Sequence, residues 1–198
     1  KAAGGNEASA VVSHTRSSDI QAVRSEEERL RLNLLPARFR TAKSQKRPAA
    51  PVADEPGASY AFEDLEVGMA ATYSRTVTPD DVAEFARLTG DTNPVHLNED
   101  YAAATPFKAR IVHGMLTAGY ISTVLGTRLP GEGAIYMSQT LKFLAPVYHG
   151  DSVTARAEVI ELNEAKSRAV MACTCHVGDR LVLQGEAVLK VPRREKQD

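Results

Sequence analysis

The chain has no long apolar run, no excess of charge and only two cysteines. Because no stretch of about 18 apolar residues exists, we expect no membrane-spanning helix. A net charge of −1 gives no reason to expect nucleic acid as a partner. Cys173 and Cys175 alternate along one predicted strand, so they share a face and are poorly placed for a mutual disulfide. We expect two small core residues in a reducing environment, since a second pair of metal ligands is missing.

Residues 1–57 differ in composition from the rest of the chain. The segment from Arg29 to Arg47 holds 7 basic residues and no acidic one, and Pro48 to Gly57 is typical of a linker. We predict a disordered or weakly helical basic tail here and a folded domain over residues 58–198. The alternatives for the tail are an organelle-targeting remnant, a docking patch or the scar of a larger polypeptide. The acidic run Glu26–Glu28 argues against a transit peptide, so we expect a cytoplasmic protein, or an organellar one if the tail is a targeting remnant.

Regular structure begins with a strand and a well-marked helix. Ala70 to Val77 is typical of a strand. Thr78 is a helix-capping residue, Pro79 fits the first turn, and Gly90 fits the helix end. Glu99 to Ala104 predicts a further short helix.

A charge-free helix followed by alternating strands predicts the architecture. Residues 114–127 carry no charge, which is typical of a helix inside a protein. Residues 153–159, 169–177 and 181–189 alternate cleanly and predict an antiparallel meander. The economical packing is an α+β domain in which a curved antiparallel sheet wraps the helix. Such a sheet leaves an edge strand uncovered, which favours a homodimer joined edge to edge.

A polar turn between the two helices predicts acid/base chemistry. Asp91, Asn93 and His96 lie within six residues, and Gly90 and Pro94 make their loop rigid. A carboxylate and an imidazole held close together are what general acid/base catalysis on a water molecule needs. The alternative is an Asx-turn at a helix end with His96 as a hydrogen-bonded loop residue. His149, in a His-Gly-Asp turn, is expected to be solvated. None of the histidines has the spacing of a zinc site, so we predict no metal.

The order of these residues resembles a known signature. Gly90-Asp91-Thr92-Asn93-Pro94-Val95-His96, with Phe85 before it and Ala102 after it, is similar to the pattern of the MaoC-like (R)-specific enoyl-CoA hydratases of the hotdog-fold superfamily. Ile111 to Leu116 resembles the segment that opens that family's central helix. Gln139 to Val147 resembles its first strand after the helix. The resemblance implies a hotdog fold, with a curved antiparallel sheet wrapped around a long central helix.

The resemblance also implies a reaction and a role for each site residue. The reaction is (R)-specific hydration of trans-2-enoyl-CoA to (R)-3-hydroxyacyl-CoA, or the reverse dehydration, in fatty-acid or polyhydroxyalkanoate metabolism. Asp91 and His96 would activate one shared water, and the Gly114 backbone N–H, free at a helix start, would form the oxyanion hole. The implied supporting residues are Asn93, Pro94, Ser122, whose hydroxyl would contact Asp91, and His113, which we expect to be structural. No cofactor is implied, because the coenzyme A thioester is the substrate.

Two alternatives remain at this point. The same site would serve a 3-hydroxyacyl-[acyl-carrier-protein] dehydratase, so the thioester partner is acyl-CoA or acyl-carrier protein. The domain is otherwise a non-enzymatic acyl-binding or scaffolding hotdog module. We expect residues 125–137, which are rich in glycine, to line the acyl tunnel.

Overall fold

The computed structural model describes Gly57 and residues 59–194, so the predicted tail otherwise lies outside the described residues. Within them the chain forms a six-stranded sheet and four α-helices. The helices are α1 (Pro79–Thr89), α2 (Pro94–Leu97), α3 (Glu99–Ala104) and α4 (Gly114–Thr127). The strands are β1 (Ala70–Thr76), β2 (Ile135–Gln139), β3 (Lys142–Phe143), β4 (Ser152–Asn163), β5 (Arg168–Val177) and β6 (Arg180–Lys190). No helix in this part of the chain has the length and apolar character needed to cross a membrane.

Helix α1 begins and ends as its sequence predicts. The Asp81 N–H donates to Thr78 Oγ1 at 3.1 Å, and the Thr78 N–H donates to the Asp81 carboxylate at 2.9 Å. This reciprocal pair is a capping box, which satisfies two N–H groups that a helix start leaves free. Gly90 ends the helix in the left-handed conformation, with φ of 78°. The cap and the glycine together fix where the loop carrying Asp91 begins.

The antiparallel sheet confirms the predicted alternation. Its strand order is β1-β4-β5-β6-β2, and β3 also pairs with β6. Small or apolar side chains alternate inward along β4 and β5, where Ala157 faces Cys173 across the ladder. Both cysteines are free and buried, and burial raises the pKa of each thiol to about 12. They are the core residues that the sequence predicted.

Helix α4 packs in the hollow of the sheet, against β1, β4 and β5. Ile121, Val124 and Leu125 on its inner side are 0–1% exposed. The helix lies inside the sheet as predicted, but one side of it stays exposed, because the sheet of a single chain covers only part of its circumference. The exposed stripe consists of Met115, Gly119, Ser122 and Gly126.

The first strand after α4 begins at Ile135, which is earlier in the sequence than the strand implied by the resemblance. Pairing covers residues 135–139 and then only Lys142–Phe143, rather than a strand over residues 139–147. At Thr140 the chain crosses close over Gly185, where a Cβ atom would lie 1.7 Å from the Thr140 carbonyl oxygen. The Glu186 N–H donates to Thr140 Oγ1 at 3.0 Å, which holds this crossing. The crossing interrupts the ladder, which resumes in the same register at Lys142 and Gln184, so β3 continues along the edge of β6 and brings Phe143 against Gly114 at the start of α4.

Candidate active site

The loop between α1 and α2 holds the first of the predicted site residues. The Asn93 N–H donates to the Asp91 carboxylate at 3.3 Å, and the Val95 N–H donates to the Asn93 side-chain oxygen at 3.2 Å. Asn93 therefore caps α2, and Pro94 occupies the first helical position. Both residues brace the loop as predicted from their types, while the Asp91 side chain stays exposed to solvent.

His96 is buried, and one hydrogen bond fixes its protonation pattern. The ring is 8% exposed, and Nδ1 lies 2.8 Å from the Ile111 carbonyl oxygen. A carbonyl accepts only, so Nδ1 carries the proton, and in the neutral ring Nε2 keeps its lone pair. Burial lowers the pKa of His96, and the bond to Ile111 opposes that shift. The neutral imidazole is thus the favoured form near neutral pH, with Nε2 available to accept a proton.

His113 ties the two halves of the site together. Its Nε2–H donates to the Asp91 backbone carbonyl at 2.9 Å, and its ring stacks on that of His96 with centroids 3.8 Å apart. The ring also contacts Phe85 at a centroid distance of 5.0 Å. Because its Nε2 is committed to the loop backbone and it is 1% exposed, His113 supports the loop, in agreement with the structural role expected of it.

Gly114 is the first residue of α4 and lies in the same cavity wall as Asp91 and His96. The preceding residue, His113, provides no side-chain cap, so the start of this 14-residue helix leaves N–H groups without a capping side chain among the described residues. The partial positive charge of a helix start strengthens such a donor. Asp91, His96 and Gly114 all line one cavity of about 510 Å³. Most of its other lining residues are apolar: Phe107, Ile111, Val112, Met115, Phe143, Leu144, Ala145, Pro146, Val147, Val182 and Leu183.

Three side chains at this site, those of Asp91, His96 and His113, form the group in the described chain that could hold a metal ion. Ligand atoms of Asp91, His96 and His113 lie within 4.8 Å of one another. However, a ring nitrogen binds a metal in the plane of its ring, and the two imidazole planes differ by only 30° at 3.8 Å separation. One ion cannot lie close to both planes unless a ring turns and gives up its backbone hydrogen bond. The arrangement therefore suits proton transfer better than metal binding.

Two sequence-based predictions need correction, and a third finds no support within the described residues. Ser122 is exposed on the open stripe of α4, two turns beyond Gly114, and does not line the cavity, so no contact with Asp91 forms within the described chain and its supporting role stays a prediction. The helix rises about 12 Å over those eight residues, which carries the hydroxyl away from the loop. None of residues 125–137 lines the cavity. His149 is half-buried rather than solvated, and burial lowers its pKa.

Phe143 is a site residue that the sequence reasoning did not identify. It lines the cavity from β3, and its ring lies directly against Gly114. The resemblance implies only a strand for Gln139 to Val147. No sequence signal singles out Phe143, because its two neighbours, Lys142 and Leu144, do not alternate with it in polarity.

Known proteins resemble this chain in sequence and in fold. The MaoC-like domain family matches residues 64–179. The chain is 57% identical over 137 residues to the 3-hydroxybutyryl-CoA dehydratase of Methylorubrum extorquens, covering 69% of this chain and 87% of that protein. It is 53% identical over 133 residues to the (R)-specific enoyl-CoA hydratase of Rhodospirillum rubrum, covering 67% and 92%. The solved (R)-hydratase from Aeromonas caviae involved in PHA biosynthesis superposes with a TM-score of 0.64 at 46% identity, over 66% of this chain and 99% of that one.

Proposed function

The chain belongs to the MaoC-like domain family, and from this membership we propose that it catalyses the (R)-specific hydration of trans-2-enoyl-CoA to (R)-3-hydroxyacyl-CoA, or the reverse dehydration. One observation carries the proposal. A carboxylate, a neutral imidazole with a free nitrogen and an uncapped helix N–H face one mostly apolar cavity. These are the groups that water addition to an unsaturated thioester requires.

The reaction divides among three groups of the protein. Asp91 and His96 hold one water, take a proton from it as its oxygen bonds to C3, and return a proton to C2. The Gly114 N–H donates to the thioester oxygen, where negative charge develops as the double bond breaks. Acid and base roles belong to the Asp91–His96 pair, because two interacting groups titrate together. Since one pair handles both protons, the proton and the hydroxyl add to the same face of the double bond.

The apolar lining supports an acyl thioester as the substrate. A mostly apolar cavity with a few polar groups at one side binds an acyl chain and orients its reactive end. It also limits the water near the reacting atoms, which strengthens each hydrogen bond in the transition state. We propose that no cofactor takes part, since coenzyme A is part of the substrate. A cytoplasmic location stays a prediction.

A direct assay tests the proposed function. Purified protein is mixed with crotonyl-CoA, with octenoyl-CoA and with the same acyl groups on acyl-carrier protein, and the loss of enoyl thioester absorbance is followed. Turnover of the coenzyme A substrates that is absent in Asp91→Asn supports the proposal. Faster turnover of the carrier-protein thioesters would favour the acyl-carrier-protein dehydratase, and binding without turnover would favour an acyl-binding module.

We also propose that the protein is a homodimer joined through β2. This strand is an edge of the sheet, and Ile135, Tyr136 and Met137 on it are 58%, 40% and 46% exposed. An apolar edge strand left open is prone to pair with another chain. In light scattering, wild-type protein is expected at twice the chain mass, and Met137→Lys at a lower mass. A monomeric wild-type protein would contradict this part of the proposal.

A further inference from the structure

The ring of Phe143 covers Gly114 at the start of α4. A Cβ atom added to Gly114 would lie 2.7, 2.9 and 3.2 Å from three carbons of this ring. The two shorter distances are closer than real carbon atoms come, so the Phe143 ring would have to shift to make room for a larger residue at position 114. The close approach of ring and backbone accounts for glycine at this position.

The backbone beneath the ring is held firmly although the ring itself is exposed. Phe143 pairs with Leu183 on β6, and the following Leu144 N–H donates to the Val182 carbonyl at 2.9 Å. The Phe143 side chain is nevertheless 54% exposed and lines the cavity that contains Asp91 and His96. A large apolar side chain that is half exposed on a fixed backbone contributes little to the core. Its position points to a role in the cavity.

The Phe143 ring and Gly114 lie next to each other in the wall of the cavity. The Gly114 N–H is the proposed donor to the thioester oxygen, and its strength depends on how much water reaches it. A ring packed on the Gly114 Cα removes water from one side of this peptide group. Asp91 and His96 line the same cavity as the ring and Gly114.

We propose that Phe143 is a positioning residue of the hydratase site, which closes one side of the Gly114 N–H and fixes the placement of the thioester against it. The inference rests on the proposed function, because it assigns Gly114 N–H to the thioester oxygen. It predicts that loss of the ring mainly lowers kcat rather than protein stability.

The experiment compares Phe143→Ala with Phe143→Leu and with Leu88→Ala. Leucine keeps an apolar side chain over Gly114, while Leu88 is an exposed apolar residue of α1, 68% exposed and outside the cavity. On crotonyl-CoA, Phe143→Ala should lower kcat by about 10- to 100-fold, the effect of a misplaced reacting group. Phe143→Leu should recover most of the rate, and Leu88→Ala should match wild type. The melting temperature should be nearly the same in all of them.

A double-mutant cycle separates positioning from a general loss of structure. Gly114→Ala should lower kcat because the new methyl group forces the Phe143 ring away. In Gly114→Ala/Phe143→Ala that clash is gone, so the two effects should be far from multiplicative. Effects that multiply, or a Phe143→Ala enzyme with unchanged kcat, would overturn the inference. Wild-type protein that does not turn over crotonyl-CoA would instead overturn the proposed function, so the two failures are distinguishable.

Discussion

His113 stacks on His96 with ring centroids 3.8 Å apart while its Nε2–H holds the Asp91 carbonyl at 2.9 Å. One buried ring thus contacts both members of the proposed catalytic pair without supplying a proton itself. The carboxylate lies on a loop and the imidazole on a four-residue helix, and His113 joins them from the start of α4. His113 therefore connects the loop that carries Asp91 to the ring of His96.

Asp91→Asn and His96→Ala should each remove most hydratase activity while the fold is kept. General acid/base contributions are typically about 10²- to 10⁴-fold, and we expect losses in kcat of that size on crotonyl-CoA. His176→Gln, which removes an imidazole on β5 outside the cavity, is the control and should retain the wild-type rate. Near-normal rates in either Asp91→Asn or His96→Ala would move the chemistry to other residues.

His113→Phe should impair catalysis through the loop rather than through proton transfer. Phenylalanine keeps an aromatic ring beside His96 but cannot donate to the Asp91 carbonyl. A buried group left without its partner costs about 1–3 kcal/mol, so the free energy of unfolding should fall by that amount and kcat should fall with it. Urea denaturation and steady-state kinetics on the same preparation check both. A variant with the wild-type kcat would show that this hydrogen bond does not set the loop position.

Stability should decrease as the pH falls below about 6.5, the usual pKa of histidine. Burial lowers the pKa values of His96 and His149 in the folded protein. At pH values between those lowered pKa values and about 6.5, the unfolded chain binds more protons than the folded protein does. The free energy of unfolding therefore falls as the pH falls through this range. Melting temperatures measured from about pH 8 down to about pH 5.5 should show the decline, and His149→Gln should reduce it. A melting temperature that rises over this range would contradict the argument.

Removal of divalent metals should leave the activity unchanged. The near-parallel rings of His96 and His113 are poorly arranged for a shared ion, and water activation is assigned to Asp91 and His96. Enzyme dialysed against EDTA should therefore match untreated enzyme, with metal content measured on both samples. Loss of rate on dialysis that zinc restores would show that this site uses a metal.

The sequence predicted the local features of the site, and its long-range contacts needed the structure. Thr78, Gly90 and Pro94 act on neighbouring residues, so their roles follow from residue type and order. The bond from His96 to Ile111 spans 15 residues, and the contact of Phe143 with Gly114 depends on a chain crossing near Gly185. No periodicity encodes either one. For Ser122, a match in order along a helix does not bring its side chain to the cavity of the single chain, so its role stays a prediction.

The stereochemistry of the product tests the central claim most directly. Asp91 and His96 both line the cavity, so water should attack C3 from one face, and the similarity to (R)-specific hydratases predicts (R)-3-hydroxybutyryl-CoA as the product from crotonyl-CoA. Product formed to completion is hydrolysed and resolved by chiral chromatography, with an (S)-specific 3-hydroxyacyl-CoA dehydrogenase and NAD as a parallel assay. The account predicts an almost pure (R) product and no NADH while the enoyl absorbance falls. A predominantly (S) product, with NADH formed in step with hydration, would contradict it.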